Sequence, residues 1–310
     1  MIKRFLSVFL CMILLCGCAF HNQSASDGVT FTDDTGAEVT VPQKPETVAV
    51  LLSSLADLWI TAGGEVDITV GETVERGFAG ADVILVDDGA GKTVNLEALI
   101  AAKPDFVLFA SDIAGQLECA ETLRAAGIPA AGFTVESFED YLKLLKLSTE
   151  ILDTPENYET YGLQVKARVD AWLETARKQP VQPSVLFVRA GSSAKYTKAK
   201  TAENHFVCGM LRDLGTVNIA EKAPILLDGL SIEEILLSDP SVILFTTMGD
   251  EGAGVAYMES LVTDPVWQNL TAVREEKVYQ LPKELFQYKP NSRWDVAYAY
   301  LIELLYGDIL

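Results

Sequence analysis

Histidine is nearly missing from this chain. Of two in 310 residues, His21 falls in a polar stretch close to the start, which leaves His205 as the one imidazole a folded body could use. Histidine-based metal clusters and Ser-His or Cys-His catalysis would all hang on that side chain. A receptor for free zinc or manganese is disfavoured on the same count. No G-x-S-x-G elbow, P-loop or H-E-x-x-H occurs, which argues against an extracellular α/β hydrolase. Gly89-Ala90-Gly91-Lys92-Thr93 shares letters with a Walker loop, but its glycines stand too close together to cradle a phosphate. It reads as a turn between a strand at 83–86 and a helix capped by Asn95. Bases are scarce too, 24 against 44 acids, for a formal charge of −20. Such a surface excludes nucleic acid as a partner and peripheral docking on anionic lipid. Acid pairs such as Asp33-Asp34 and Asp87-Asp88 are then expected from abundance alone and read as solvated surface. Of five cysteines, Cys11, Cys16 and Cys18 crowd near the N-terminus. Cys119 and Cys208, far apart, read as buried small hydrophobes rather than a disulfide. Low-complexity stretches and Gly/Ser-rich or Pro-rich linkers are absent.

At the start stands a processing signal: Lys3 and Arg4, then an apolar run over residues 5–15, then Gly17 before Cys18. The run is too short to cross a bilayer as a permanent helix. The tetrad Leu15-Cys16-Gly17-Cys18 resembles the lipobox of bacterial lipoproteins, which implies cleavage before Cys18 and diacylglycerol on its sulfur. An ordinary secretory signal cut elsewhere is the alternative, and it leaves that cysteine without a role. Either reading sends the protein out of the cytoplasm. Residues 1–17 are therefore the expected signal, and 18–28, polar with Ser24, Ser26 and Asp27, a flexible tether. Removing Lys3 and Arg4 takes the charge to −22. About 280 residues follow, enough for one large or two ordinary domains.

An internal repeat sets the architecture. Residues 95–111, NLEALIAAKPDFVLFAS, align without a gap on residues 231–247, SIEEILLSDPSVILFTT, with identities at Glu97/Glu233, Pro104/Pro240, Leu108/Leu244 and Phe109/Phe245. Each copy has a polar cap (Asn95, Ser231), an acid in the first helical turn, a proline that stops the helix, and an unbroken apolar run. Runs without polar alternation fit buried parallel strands. At nearly the same 136-residue offset, a strand at 48–52 precedes the first copy and one at 185–188 the second. A chance match of two short helix-strand units is the competing explanation. The expected fold is α/β: two Rossmann-like lobes at 29–136 and 181–310, each a mainly parallel sheet flanked by helices. Residues 137–180 have helical periodicity with a break at Pro155, predicting a helical connection and little hinging.

One charge anomaly stands against the acidic background. Residues 189–200, RAGSSAKYTKAK, carry Arg189, Lys195, Lys198 and Lys200 and no acid. In open α/β sheets the ligand crevice forms beyond the carboxyl ends of strands, where this segment falls. A basic loop there suits an anionic ligand; lysines kept for solubility are the alternative. The same rule assigns to the crevice Ser53 and Ser54, Arg76, Ser111 with Asp112, and Met248 with Gly249 and Asp250. Lys283, Phe286, Tyr288, Lys289 and Arg293 form a second basic and aromatic cluster, suited to large, flat or chelated anions. Trp294, Tyr298 and Leu301 have the spacing of a core-facing helix.

Taken in order, FTDDTGAEVTVPQKPETVAVL, NLEALIAAKPDFVLFA, LRDLGTVNIA, LSIEEILLSDPSVILF and DPVWQNLTAVREEKVYQL resemble the solute-binding lipoproteins of ABC importers for ferric siderophores, haem and cobalamin. The resemblance covers nearly the whole chain beyond Cys18. It implies two lobes joined by one long rigid helix, no enzymatic activity and no intrinsic cofactor. It also implies a monomer held by Cys18 on the outer face of a bacterial cytoplasmic membrane, with an ABC permease and its ATPase as partners. Glu97 and Glu233 match the family's acids that dock on permease arginines; service to the helix dipole alone is the alternative. Met248 matches an axial histidine of some haem-binding relatives, with Tyr196 and His205 as other candidate ligands. A saturated ferric chelator needs no protein ligand to iron, only positive charge and aromatic walls. The basic loop therefore favours a siderophore-type iron chelate over haem, and cobalamin less. Expected contacts are Arg189, Lys195, Lys198 and Lys200 for charge, Tyr196, Phe286 and Tyr288 for packing, and Ser53, Ser111 and Asn204 for orientation. Ser54, Arg76 and Met248 share the crevice.

Overall fold

The computed structural model describes residues 28–87 and 93–307. The signal, Cys18, the tether up to Asp27 with His21, Asp88 and the 88–92 part of the glycine-rich turn lie outside the described residues.

An antiparallel hairpin of β1 (Gly28–Thr32) and β2 (Glu38–Pro42) leads into the first lobe. Its sheet holds β3 (Val48–Val50), β4 (Ile68–Thr69), β5 (Ile84–Leu85), β6 (Phe106–Ala110) and β7 (Ala130–Phe133), all parallel, in the order β5-β4-β3-β6-β7. The second lobe holds β8 (Ser184–Ala190), β9 (Lys198–Ala199), β10 (Val217–Asn218), β11 (Val242–Thr247) and β12 (Val278–Gln280). Here the order β10-β8-β11-β12 is parallel, and β9 runs antiparallel on β8. With β5 and β9 set aside, both sheets read alike, β4-β3-β6-β7 against β10-β8-β11-β12. The sequence repeat is thus a repeat of topology, and the chain is a two-lobed α/β protein.

Helices α1 (Ser53–Thr61), α2 (Gly71–Glu75), α3 (Leu96–Ala101) and α4 (Ala114–Ala125) flank the first sheet. After α5 (Phe138–Leu152), α6 (Pro155–Tyr158) and α7 (Gln164–Arg177), the second lobe contributes α8 (Phe206–Asp213), α9 (Ile225–Asp228), α10 (Ile232–Ser238), α11 (Glu251–Val262), α12 (Thr271–Arg274), α13 (Lys283–Phe286) and α14 (Trp294–Tyr306).

The central strands β6 and β11 are buried along their whole length, as their unbroken apolar sequences require. Alternate residues enter different cores: Val107 and Phe109 pack under the helices of the first lobe, Ile243 and Phe245 under those of the second. Phe106, Leu108, Val242 and Leu244 join a third core, together with residues of α5, α7, α8 and α14, that both lobes share. Each repeat helix ends the same way, on a left-handed residue before proline: Lys103 (φ 51°) before Pro104, and Asp239 (φ 38°) before Pro240. Asn95 caps α3 as expected, accepting the Ala98 N–H at 3.0 Å. Ser231 does not cap α10 in that way; its hydroxyl donates to Glu233 at 3.2 Å instead.

The connection breaks at the expected place. Ser137 caps α5, which ends on left-handed Asp153 (φ 55°), and Pro155 opens the next helix, where its missing N–H is harmless. Residues 155–177 then run on through a π-helical turn at Glu159–Leu163 into α7, ~34 Å of helix. Helix α14 packs along α7, with Trp294, Tyr298 and Leu301 buried as their spacing predicts.

Asp33 corrects the reading of Asp33-Asp34 as solvated surface. Its side chain is buried and accepts N–H groups from Thr35, Ala37 and Gly132 while pairing with Arg124 at 2.7 Å. It closes the β1–β2 turn and fastens the hairpin to the end of β7. Burial pushes its pKa up, but those hydrogen bonds and Arg124 outweigh it, and the carboxyl sits below its ordinary value.

Candidate ligand-binding cleft

The chain leaves β12 at the carboxyl end of the second sheet and crosses to the first lobe through residues 287–291. That crossing meets the loops beyond β3, β4 and β7. The Asn291 amide donates to the Ser54 carbonyl at 2.9 Å and to Asp57 at 2.8 Å. Lys289 pairs with Glu136 at 2.7 Å. The Arg76 guanidinium lies 3.8 Å over the Tyr288 ring and 4.8 Å over Phe78. Asn291 holds φ 48°, a left-handed turn that asparagine tolerates better than most residues. The strand ends of both lobes therefore converge on one short segment, leaving a cavity of about 40 Å³ between Ser54 and Asp112 on one side and Lys289 and Asn291 on the other.

On the first-lobe wall, four of the expected residues meet. Arg76 donates to Ser53 Oγ at 2.7 Å and to Ser54 Oγ at 3.4 Å, while its guanidinium lies over the Tyr288 ring. Burial lowers the Arg76 pKa and raises that of Asp57, whose shift Asn291, Arg76 and Arg293 oppose. Ser111 shares a hydrogen bond with Thr134 at 2.6 Å.

The second-lobe wall is basic. Arg189 sits at the end of β8, cross-strand from Lys198, and the Lys200 N–H donates to the Phe187 carbonyl at 3.0 Å. Among the described residues, the side chains of Arg189, Lys198 and Lys200 form no ion pair and no hydrogen bond, although the Lys200 carbonyl accepts from the Asn218 amide at 2.7 Å; the Lys195 side chain lies only over the Tyr196 ring, at 5.3 Å. Burial depresses the Arg189 pKa, and burial with Arg189 and Lys198 depresses that of Lys200. Half-buried cations without a counter-charge are costly, and a bound anion relieves that cost. Tyr196, on that loop, and Met248, directly after β11, are open to solvent, 50% and 37% exposed.

One expected contact falls elsewhere. Phe286 is sealed in the shared core against Tyr300, 5.6 Å between rings, because α13 turns its apolar face inward; it cannot touch a ligand. Asn204 is exposed next to His205, and its side-chain carbonyl accepts the Thr201 N–H at 3.1 Å, closing the turn before α8. The rest of the C-terminal cluster divides: Lys283 donates to the Gly249 carbonyl and Arg293 to that of Glu284. Sequence reasoning missed Asp57, Glu136 and Asn291; Lys289-Pro290-Asn291, a turn signature, was the available signal for the last.

A larger cavity, about 570 Å³, opens beyond Glu136 between α5, α7, α8 and α14. It holds none of the expected binding residues, and its Asp213 carboxylate is already engaged by the Tyr298 hydroxyl. Glu97 and Glu233 are exposed at the starts of α3 and α10 and form no ion pair among the described residues. No group of three His, Cys, Asp or Glu among them is arranged to hold a metal ion.

Two lobes, each built on a mainly parallel sheet, meet at their strand ends over a basic wall, the outline of a ligand-binding cleft. The chain belongs to the periplasmic binding protein family, whose sequence profile matches residues 48–285. The fold is similar to a periplasmic solute-binding protein from Veillonella parvula, with TM-score 0.69 and 21% identity, covering 91% of this chain and 87% of that one. It is also similar to the periplasmic haem-binding protein RhuT from Roseiflexus, with TM-score 0.68 and 21% identity over 84% of this chain and 98% of that one. Staphylococcus aureus SirA, solved with staphyloferrin B, gives TM-score 0.66 and 18% identity over 90% and 97%. No curated protein sequence matches significantly.

Proposed function

We propose that this protein is the lipid-anchored, extracytoplasmic receptor of an ABC importer, binding an anionic, siderophore-type iron chelate between its lobes and delivering it to the permease. The observation that carries this reading is the group of unpaired cations, Arg189, Lys198 and Lys200, at the strand ends of the second lobe in a strongly acidic protein. Arg76 and Tyr288 offer an arginine and an aromatic face on the opposite wall. SirA was solved with staphyloferrin B, which supports a chelate of this kind; RhuT is a haem-binding protein, which keeps haem as the second reading through Met248 or Tyr196. Glu97 and Glu233 are the proposed docking acids, and Leu237, 81% exposed one turn after Glu233, adds an apolar contact beside one of them. Cys18 is the proposed lipid anchor, which keeps receptor and permease at high effective concentration.

Thermal-shift screening of purified protein against ferric hydroxamates, ferric catecholates, ferric polycarboxylates, haem and cobalamin tests the reading. A rise in melting temperature with a ferric chelate supports it. A shift with haem alone moves the assignment to the second reading, and a shift with none removes both.

A further inference from the structure

Phe187 and Arg189 stand two residues apart on β8 and so project from the same face. The His205 ring packs on Phe187 at 4.8 Å and on Phe206 at 5.1 Å. Lys289 Nζ lies 4.5 Å from the Phe206 centroid, and Lys200 is held beside Phe187 by its backbone. Arg189, Lys200 and Lys289 thus all act on one imidazole, and among the described residues the one carboxylate paired with any of them is Glu136, on Lys289.

The tautomer of that imidazole follows from its neighbours. Nδ1 accepts the Val207 N–H at 3.4 Å at the start of α8, so the neutral ring carries its proton on Nε2. Nε2 has no protein partner among the described residues, yet it is not among the polar atoms sealed from solvent. Burial, then Lys289, Arg189 and Lys200, push the His205 pKa down to about 3, so the ring is neutral at physiological pH. Ligation of haem iron through Nε2 would require the proton to move to Nδ1, breaking the bond to Val207. A metal cation would also have to sit among three positive charges.

We infer that His205 reads the ligand directly, its Nε2–H donating to a carboxylate that is seated between Arg189, Lys200 and Lys289. This rests on the receptor reading above and narrows it to ligands that bear free carboxylates. Either a polycarboxylate iron chelate or the propionates of a haem supplies that chemistry.

The test uses purified protein with isotopically labelled histidine; the chain has only His21 and His205. Diamagnetic gallium stands in for iron in three probes: gallium citrate, gallium protoporphyrin and gallium desferrioxamine B, a cationic hydroxamate complex without a free carboxylate. Tryptophan fluorescence reports whether each binds, and two-bond nitrogen–proton spectra report on His205. The inference predicts an Nε2-protonated ring in the free protein and a downfield shift of Nε2–H with citrate or protoporphyrin; whichever acts identifies the source of the carboxylate. His205→Asn keeps a capping acceptor for α8 but loses the reach of Nε2, and should weaken that probe about tenfold while holding the melting temperature within a few degrees. Saturating binding of a carboxylate probe with unshifted His205 signals overturns the inference and leaves the receptor reading intact, and an equal shift with the hydroxamate does the same. Binding of none of the three overturns the inference, while the receptor reading stands or falls by the thermal-shift screen above.

Discussion

Arg189→Met separates the two consequences of an unpaired cation. In the free protein the guanidinium is about half buried, without counter-charge, and close to Lys200 and Lys198. Methionine keeps an apolar stem of similar volume and removes the charge. Replacing buried ions with apolar groups ranges from neutral to several kcal/mol stabilising, and half burial puts Arg189 at the low end, ~1 kcal/mol. In a body of this size that is about 2–4 °C in melting temperature. The complex should respond in the opposite direction. Losing a hydrogen bond between guanidinium and carboxylate costs about 1.5–3 kcal/mol, roughly ten- to a hundredfold in Kd. Calorimetry of the unliganded variant and titration with ferric citrate measure the two. A variant that loses more than ~1 kcal/mol without ligand would make Arg189 a structural residue. Unchanged affinity would remove it from the site.

Asn291→Ala removes both bonds to Ser54 and Asp57 and forces alanine into φ 48°; urea denaturation should show a loss of ~3 kcal/mol, with Asn291→Gly recovering about 1. Asp33→Asn should cost ~3 kcal/mol at neutral pH, since an amide N–H₂ then faces the Arg124 and Gly132 donors. Because the folded pKa of Asp33 is depressed, its stabilisation is complete well above the ordinary value of 3.8 and is lost as pH falls through the folded value; the variant should show a flatter acid limb of melting temperature against pH. Gly191→Ala would place a Cβ 2.5 Å from Tyr196 Cβ, so the basic loop must shift; ligand titration should show weaker binding, with ~1–3 kcal/mol of stability lost. Glu97→Ala with Glu233→Ala should abolish uptake in cells while ligand affinity stays within twofold; a fall in affinity would make them binding or structural residues.

The architecture was legible because parallel strands covered on both faces need unbroken apolar runs, and FVLFA and VILFT are such runs. The basic loop was legible because charge is local in sequence and β8 is read directly before it. What stayed hidden depends on distant partners. Asp33 looked like any surface acid because Arg124 and Gly132 lie 91 and 99 residues away. The Asn291 bridge to Ser54 spans 237 residues. Phe286 was misread as a ligand contact because α13 is a single turn, too short for periodicity to tell its buried face from its open one. His205 shows its tautomer only when Val207 and Phe187 are packed around it.

The central claim, that the unpaired cations of the second lobe recognise an anionic iron chelate, is tested most directly by isothermal titration of wild type and of Arg189→Met/Lys198→Met/Lys200→Met with ferric citrate at two salt concentrations. The account predicts binding to wild type that weakens with salt, and loss of at least a hundredfold in affinity in a triple variant that melts no lower than wild type. Equal affinity in the two proteins would contradict it.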